Sequence, residues 1–430
     1  MGGMLQTLKN AWNIKELRKR IIFTILMLIV FRIGAHIPVP GLDAEKFRSL
    51  IEHGGQLFGF MDIIAGGAFS NVTIFAMSIT PYINSSIIMN LLTVAIPKLE
   101  QLAKEGEEGR KIIAQYTRYV TVLLGFIQAT ALYFGMKSAV NEGNAVLSFI
   151  TITLTFSAGT AFLMWLGEQI TEYGIGNGIS MIIFAGIVSR GPQGAISLVR
   201  LFIAGALGTG IYRIFMIVLI LLVFAVVIAA VIWVQEAERR IPVQYAKRVV
   251  GRKVYGGQNT HLPIKVNLAG VIPIIFAMSI MAFPSTIISL IAPDSTNRIV
   301  LWFKDAQKGV GYAIFYALLI IFFTFFYTII QFNPVEVANN MKKNGGFIPG
   351  IRPGKPTADY ISKVLNRITW FGGFFLAAIT LLPNILGMIF KIQGIWFSGT
   401  AILILVGVAM DTIKQIESYM LMRHYKGFLE

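Results

Sequence analysis

The chain has 430 residues, of which 55% are hydrophobic and 13% are charged, and its mean hydropathy is +0.70. This composition is far more apolar than that of a soluble domain and predicts an all-α polytopic membrane protein. The net charge of +16 does not indicate a DNA partner, because basic residues of a membrane protein reflect its topology. Cysteine is absent from the sequence, which excludes disulfides and thiolate metal sites.

Ten apolar runs are candidates for membrane-spanning helices. Crossing about 30 Å of hydrocarbon takes roughly 20 helical residues. In chain order the candidates are 21–37, 74–96, 119–136, 146–166, 179–188, 211–234, 269–291, 312–330, 370–389 and 400–410. The fifth is short, and the seventh contains Pro273 and Pro284. An even number of spans places both chain termini on the same side of the membrane.

The stretch before the second span differs from all of these. Residues 58–71 are apolar but short, contain a Gly pair and carry Asp62, so they fall short of a membrane crossing. The span that follows carries Thr, Pro, Asn and Ser side chains that lipid would not solvate. Irregular backbone at membrane depth is stable only where protein or water satisfies it. The sequence therefore predicts a re-entrant element that packs against protein.

Basic residues in the loops set the predicted orientation. They concentrate in the N-terminal segment, in the loops after spans two, six and eight, and in the C-terminal tail, which places these parts in the cytoplasm. The loop 167–177 has no Lys or Arg, and Arg190, Arg200 and Arg213 lie near the outer face, as exceptions to this statistical rule.

Five spans in each half of the chain permit an inverted repeat, an arrangement that places a functional path between the halves. The predicted parts are a cytoplasmic segment 1–20, an N-terminal half 21–190, an extracytoplasmic connection 191–210, a C-terminal half 211–413 and a cytoplasmic tail 414–430.

Two predicted cytoplasmic loops, 235–268 and 333–368, are long and contain sequence patterns that are typical of folded structure. The first has roughly alternating apolar residues around a Gly pair, which predicts a β-hairpin. The second has a possible short helix followed by Gly and Pro turns. Both loops fit either of two roles: basic anchors for anionic lipid, or a docking platform for a partner.

Motifs for chemistry are missing from the sequence. The four histidines form no HExxH pair, and the Gly cluster at 174–178 lacks the Lys of a phosphate loop, so we interpret it as a turn. We expect no catalytic residue, no metal site and no cofactor. Arg32, Glu168 and Asp411 lie toward span ends, so the membrane midplane looks uncharged, which disfavours an ion-coupled carrier.

Seven strings spread over the chain resemble one family. They are GGAFS (66–70), PYI (81–83), QYTRY (115–119), GIGNGIS (174–180), ERRIPVQYA (238–246), AGVIP (269–273) and FIPGIRPG (347–354). Together they resemble the bacterial SecY family, the channel-forming subunits of the Sec protein translocon.

The resemblance implies a clamshell of two inverted five-helix halves around a central pore, closed on the outside by a re-entrant plug at about 60–73. The plug residues would include Phe60, Ile63, Ile64, Gly66, Gly67, Ala68, Phe69 and Ser70. The pore ring would be Ile79, Ile83, Ile179, Ile183, Ile275 and Ile404. Such a ring blocks ions by dewetting. Isoleucine is common in this chain, so each of these residues alone also fits ordinary packing.

The resemblance also implies a lateral gate and docking sites. The gate would contain Asn84, Ser86, Asn90, Thr93 and Thr286, although hydroxyls in a helix also bond their own backbone. The SecA motor ATPase or the ribosome would dock on Arg239, Arg240, Lys247, Arg248 and Arg352. SecE and SecG subunits, precursors with signal sequences and membrane lipid would be further partners.

The sequence therefore predicts a passive, non-enzymatic protein-conducting channel of the bacterial plasma (inner) membrane, with both termini cytoplasmic. It would move secretory proteins across the membrane and insert membrane proteins into it. The alternative is a secondary transporter of small solutes.

Overall fold

The computed structural model describes residues 11–47, 62, 65–140, 144–203, 211–245, 248–250, 253–255, 259–291, 310–390 and 399–426. The first seven helices are α1 (Lys15–Gly34), α2 (Thr80–Ala95), α3 (Pro97–Lys104), α4 (Glu107–Gly135), α5 (Ala145–Tyr173), α6 (Gly178–Ser189) and α7 (Gly191–Ile203). The remaining helices are α8 (Ile211–Glu236), α9 (Ile272–Ile291), α10 (Val310–Gln331), α11 (Pro334–Lys343), α12 (Lys355–Phe390) and α13 (Gly399–Lys426). Each of the ten predicted spans overlaps one of these helices, which confirms the helical polytopic character of the chain.

Six helical stretches are long and apolar enough to cross a membrane, counted over the described residues alone. They are Ala145–Tyr173, Gly178–Ile196, Ile214–Glu236, Val310–Lys343, Lys355–Pro383 and Gly399–Leu421. Many large apolar side chains on these helices are exposed, among them Leu221 and Phe322. Outward apolar side chains are what a protein solvated by lipid requires.

Contacts divide the chain into two compact units. The first comprises Met1–Gly208, Ala282–Gln307 and Ile395–Glu430, and the second comprises Thr209–Met281 and Lys308–Gly394. Helix α13 thus groups with the N-terminal helices, and the two five-helix halves drawn from topology stay a prediction.

In the first unit, α4 packs between α2 and α5 through a stripe of mostly small residues. At every fourth position this stripe buries Thr117, Thr121, Gly125, Ala129 and Tyr133. Small side chains allow close approach of helix backbones, the main source of helix association where lipid is as apolar as the protein. The threonines satisfy their hydroxyls within the helix, as in the bond from Thr121 Oγ1 to the Thr117 carbonyl at 2.7 Å.

The second unit contains a small sheet formed by the two long loops. Strand β1 (Glu238–Tyr245) pairs antiparallel with β4 (Asn259–Lys265), which confirms the predicted hairpin. Between them, β2 (Arg248–Val250) pairs with β3 (Lys253–Tyr255), and β5 (Gly346–Phe347) adds to the other edge of β1.

The sheet packs on α11 and the start of α12 through an apolar core. Its buried members are Ile241, Val243, Ile264, Met341, Ile348, Ile361 and Leu365. Because Ile241 and Val243 alternate along β1, one face of the strand is buried, and Arg240 and Pro242 are exposed. The two long loops therefore form one folded platform.

The predicted start of the second span was wrong, and other helices extend beyond their predicted spans. The second span, expected at 74–96, becomes helical only at Thr80, because Pro81 is tolerated in the first turn of a helix and not further along. Helix α12 begins at Lys355 rather than at 370, and α13 continues through Lys426 into the predicted tail. The connection 191–210 contains α7.

Candidate functional site

Residues 65–79, here called the buried segment, lie before α2 and fold as a series of turns. Its apolar side chains are almost fully buried, with Ala65, Ala68 and Phe69 at 0–1% exposure. Gly66 and Gly67 have φ of 64° and 88°, a region that glycine occupies without strain and that the predicted Gly pair supplies. Asp62 is also buried. In its described residues, 62 and 65–71, the predicted stretch is thus not a spanning helix and packs against protein, which confirms the prediction for this part.

The segment is attached to the end of α1 and to the chain that follows it. The Val39 amide donates to the Val72 carbonyl at 2.9 Å, and the Ile74 amide donates to the Ile37 carbonyl at 3.0 Å. These bonds flank an isolated bridge between Pro38 and Thr73.

Phe75 and Ile74 fix the end of the buried segment against α1 and α5. The Phe75 ring stacks near Phe31 and Phe162, with centroids 6.2 and 5.9 Å away. It lies over Gly34, where a Cβ would be 2.0 Å from the ring, and a Cβ on Gly159 would be 2.0 Å from the Ile74 carbonyl oxygen. Both glycines therefore permit a close approach that a larger residue would block.

A buried ion pair holds the start of this region. Arg190, which caps the C-terminal end of α6, places Nη1 at 2.5 Å from Asp62 Oδ2. The other carboxylate oxygen of Asp62 accepts the Ser70 amide at 2.7 Å. The side chains of Arg190 and Asp62 are 19% and 6% exposed, so the pair is shielded from water.

A second arginine holds the Gly pair. Arg32, in the last turn of α1, donates from Nη1 to the Gly66 carbonyl at 3.0 Å and to Ser189 Oγ at 2.9 Å. Ser189 Oγ in turn donates to the Gly186 carbonyl at 2.7 Å. Sequence reasoning noted Arg32 and Arg190 only as charges near span ends and did not find these contacts. The available signal was two arginines at span ends on the side of the membrane that the orientation rule predicts to be poor in basic residues.

Of the predicted plug residues, Gly66, Gly67, Ala68, Phe69 and Ser70 all lie in the buried segment. Phe60, Ile63 and Ile64 lie outside the described residues.

Five of the six predicted ring residues lie on three elements of the first unit, namely the start of α2, α6 and α13. Ile79 is fully buried at the N-cap of α2, and the Ile83 amide bonds its carbonyl at 3.0 Å. Ile183 in α6 and Ile404 in α13 are buried, on two helices that pack together. Their common role as a ring stays a prediction.

Ile179, which also lies in α6, and Ile275 are in different surroundings. The Ile179 side chain packs over Gly167 of α5, where an added Cβ would be 2.5 Å from Ile179 Cδ1. Ile275 is partly buried in α9, in the second unit.

The turn at 174–178 anchors α13 to α6 and α1. The Gly176 amide donates to Gln415 Oε1 at 2.6 Å, and the Ile175 amide donates to Thr24 Oγ1 at 2.9 Å. Asn177 caps α6 by accepting the Ser180 amide at 3.1 Å. This confirms the prediction of a turn into the fifth span.

The predicted gate residues of α2 have mixed environments. Asn84 has a buried Oδ1 that finds no hydrogen-bond partner within the described part of the chain, Ser86 is partly buried and Asn90 is exposed. Thr93 Oγ1 donates to the Asn90 carbonyl at 2.7 Å, which fits the alternative that it bonds its own helix. Thr286 lies in α9. Sequence reasoning missed Ser85, whose buried Oγ donates to the Thr117 carbonyl of α4 at 2.7 Å.

Four of the predicted docking residues lie in the two loops that form the platform of the second unit. Arg239 and Arg240 are exposed on β1, and Arg352 is exposed before α12. Arg248 lies in β2, and Lys247 lies outside the described residues. No cluster of metal-ligating side chains occurs in the part of the chain that the structure describes.

A model of the family described as SecY matches residues 73–413, which is most of the chain. The chain belongs to the SecY family. Among its SecY relatives, the protein translocase subunit SecY of Halalkalibacterium halodurans is 48% identical over 435 residues, covering 99% of this chain and 100% of the relative. That of Thermotoga maritima is 48% identical over 438 residues, covering 99% and 98%.

Solved structures show the same fold. One titled "The structure of a protein conducting channel" is 19% identical, has a TM-score of 0.60 and aligns over 93% of this chain and 92% of the other. A second, titled "Sec61 in the Canine ribosome-channel complex from the endoplasmic reticulum", is 17% identical with a TM-score of 0.55 and the same coverage. At this identity the likeness shows the fold alone. Matches to SecY translocase subunits favour the channel over the small-solute transporter.

Proposed function

We propose that the chain is a passive protein-conducting channel of the bacterial plasma membrane. It moves secretory proteins across the membrane and inserts membrane proteins into it. The observation that carries this proposal is the buried segment, an irregular stretch inside a helical unit of a SecY family member. Non-helical backbone at membrane depth is tolerated where it is buried in protein or lines a path.

Residues 60–73, which include the first part of the buried segment, are the plug that closes the outer side of this channel. Ile79, Ile83, Ile179, Ile183, Ile275 and Ile404 form the constriction. A ring of apolar side chains dewets the narrowest point, so ions are excluded, and its flexible side chains yield to a passing polypeptide. The burial of Ile79, Ile183 and Ile404 within one unit supports this assignment.

The lateral gate uses polar groups of α2 and α9, namely Asn84, Ser86, Asn90, Thr93 and Thr286. Interhelical hydrogen bonds in a membrane contribute about 0.6 to 2 kcal/mol each. Bonds of this strength allow the helices of a gate to separate. Asn84 Oδ1 is buried and has no partner among the described residues, which supports a polar contact at this helix.

The platform of the second unit docks the SecA motor or the ribosome. Arg239, Arg240, Lys247, Arg248 and Arg352 supply positive charge, and arginine binds both carboxylate and phosphate groups in a bidentate manner. The apolar core beneath β1 supports this role over a lipid anchor, because it holds Arg239 and Arg240 on a folded surface. SecE and SecG complete the translocon, and both chain termini face the cytoplasm.

Transport in vesicles tests the function. Proteoliposomes that contain the chain with SecE and SecG, supplied with SecA and ATP, are expected to protect a signal-bearing precursor from external protease. The same precursor without its signal sequence is the control and is expected to stay accessible. If neither precursor is protected while a small solute accumulates in vesicles holding this chain alone, the chain is a solute transporter.

A further inference from the structure

The contacts of Arg32 and Arg190 hold the buried segment at two points, and we call these contacts the clasp. Arg190 pairs with Asp62, and Arg32 bonds the Gly66 carbonyl. Removing one partner of a buried ion pair leaves an uncompensated charge away from water, which is strongly unfavourable. The ion pair between Arg190 and Asp62 therefore favours the observed position of the segment, because Asp62 also accepts the Ser70 amide, and the bond from Arg32 to the Gly66 carbonyl adds a second contact.

The segment also stores backbone strain. Val72 and Ser78 have φ of 49° and 52°, in the left-handed region that non-glycine residues disfavour, most of all when β-branched. The Ser78 hydroxyl oxygen is buried and has no hydrogen-bond partner among the residues that the structure describes. Such conformations persist only where surrounding contacts over-determine them. The clasp supplies contacts of this kind.

Helix α6 contains the proposed ring residue Ile183 and also contacts the buried segment. Ile183, Gly186 and Arg190 follow the spacing i, i+3 and i+7, which places them on one face of the helix. Gly66 packs directly on this face, since a Cβ on Gly66 would lie 2.9 Å from Gly186 Cα. At 1.5 Å per residue, Ile183 and Arg190 are about 10 Å apart along the axis.

We propose that the clasp locks the buried segment in place and that α6 transmits opening of the ring to it. This inference rests on the proposed function, because it takes Ile183 as a ring residue. A polypeptide that displaces Ile183 moves α6 as a rigid body and carries Arg190 away from Asp62. A shift of about 1 Å takes the ion pair beyond hydrogen-bonding distance, and the strained segment then leaves its seat.

Cysteine labelling tests the clasp. The chain has no cysteine, so Ser70→Cys introduces a single, nearly isosteric probe in the segment. In idle vesicles, a membrane-impermeant maleimide is expected to label the probe at least tenfold faster when Arg190→Gln or Asp62→Asn is added. The double variant is expected to react no faster than the faster single variant, because both remove the same pair. Arg200→Gln, an exposed arginine of α7, is the control and is expected to leave the rate unchanged.

Asp62→Asn keeps an acceptor for the Ser70 amide and removes only the charge, so it tests the clasp even if Arg190→Gln is not recovered from membranes. The proposal would be overturned if Asp62→Asn were labelled at the same rate as the parent. It would also be overturned if the rate increases of the two single variants multiplied in the double variant.

A stalled precursor tests the transmission step. In the parent, the stalled precursor is expected to raise the labelling rate of the probe to that of idle Arg190→Gln. In Arg190→Gln itself, the precursor is expected to raise the rate little further. An unchanged rate with the precursor in the pore would refute transmission through α6. If no precursor enters at all, the proposed function fails, whereas the idle labelling rates still decide whether the clasp exists.

Discussion

Replacing Gly159 with alanine is expected to displace the buried segment. Gly159 lies in the middle of α5, and its added Cβ would be 2.0 Å from the Ile74 carbonyl oxygen, where real contacts are 3.4–4 Å. The obstacle is backbone, so the segment itself has to move. Overpacking of this kind costs about 1–3 kcal/mol, and the better helix propensity of alanine offsets about 0.5–1 kcal/mol of it.

Gly125→Ala is the matched control, since Gly125 is buried in α4 with its nearest neighbours 3.9 Å from the added Cβ. It is expected to be neutral or up to about 1 kcal/mol more stable. Thermal unfolding of the purified proteins in detergent, with ion leakage of vesicles as a second readout, measures both variants. Gly159→Ala is expected to melt at a lower temperature and to leak more. A melting temperature at or above that of Gly125→Ala would refute the close contact between α5 and Ile74.

Four further variants test other parts of the account. Deletion of residues 60–73 is expected to raise the ion conductance of idle vesicles, and unchanged conductance would count against a plug. Ser78→Gly relieves a positive φ and removes an unpartnered hydroxyl, so it is expected to raise the melting temperature by the equivalent of about 1 kcal/mol. Thr24→Val leaves the Ile175 amide without its acceptor and is expected to lower stability by about 1–3 kcal/mol. Arg352→Glu is expected to impair SecA-driven precursor transport at normal membrane levels of the protein.

Two controls belong to these variants. Thr130→Val removes a hydroxyl that donates to the Phe126 carbonyl of its own helix, and it is expected to cost less stability than Thr24→Val. Lys98→Glu reverses an exposed charge of α3 outside the platform, and it is expected to transport normally. Equal losses of stability in Thr24→Val and Thr130→Val would show that removal of any hydroxyl explains the effect. Equal losses of transport in Arg352→Glu and Lys98→Glu would show that net charge, rather than the position of the residue, explains it.

The sequence predicted those features that depend on local composition. The short stretch with Asp62 and a Gly pair could not span, and the structure shows turns there. The alternating pattern after α8 predicted a hairpin, because one face of β1 had to be apolar to cover a core. The resemblance to the SecY family, carried by seven short strings, supplied the residues of the candidate site.

The features that escaped prediction depend on contacts between distant parts of the chain. Arg32 and Arg190 meet the region of Asp62 and Gly66 from helices at either end of the first 190 residues, and sequence alone shows only isolated charges. Left-handed φ values at Val72 and Ser78 oppose local preference, so only tertiary packing explains them. Strand β5 joins β1 from a loop about a hundred residues away, which hairpin patterns cannot indicate.

Site-directed crosslinking with a stalled secretory precursor tests the central claim most directly. Photoreactive probes are placed at Ile83, Ile183 and Ile275, with Leu221 as the control because 53% of its surface is exposed on α8. The account predicts crosslinks to the precursor at the three ring positions and none at Leu221. Crosslinks that are absent from the ring, or equally strong at Leu221, would contradict a polypeptide path through these residues.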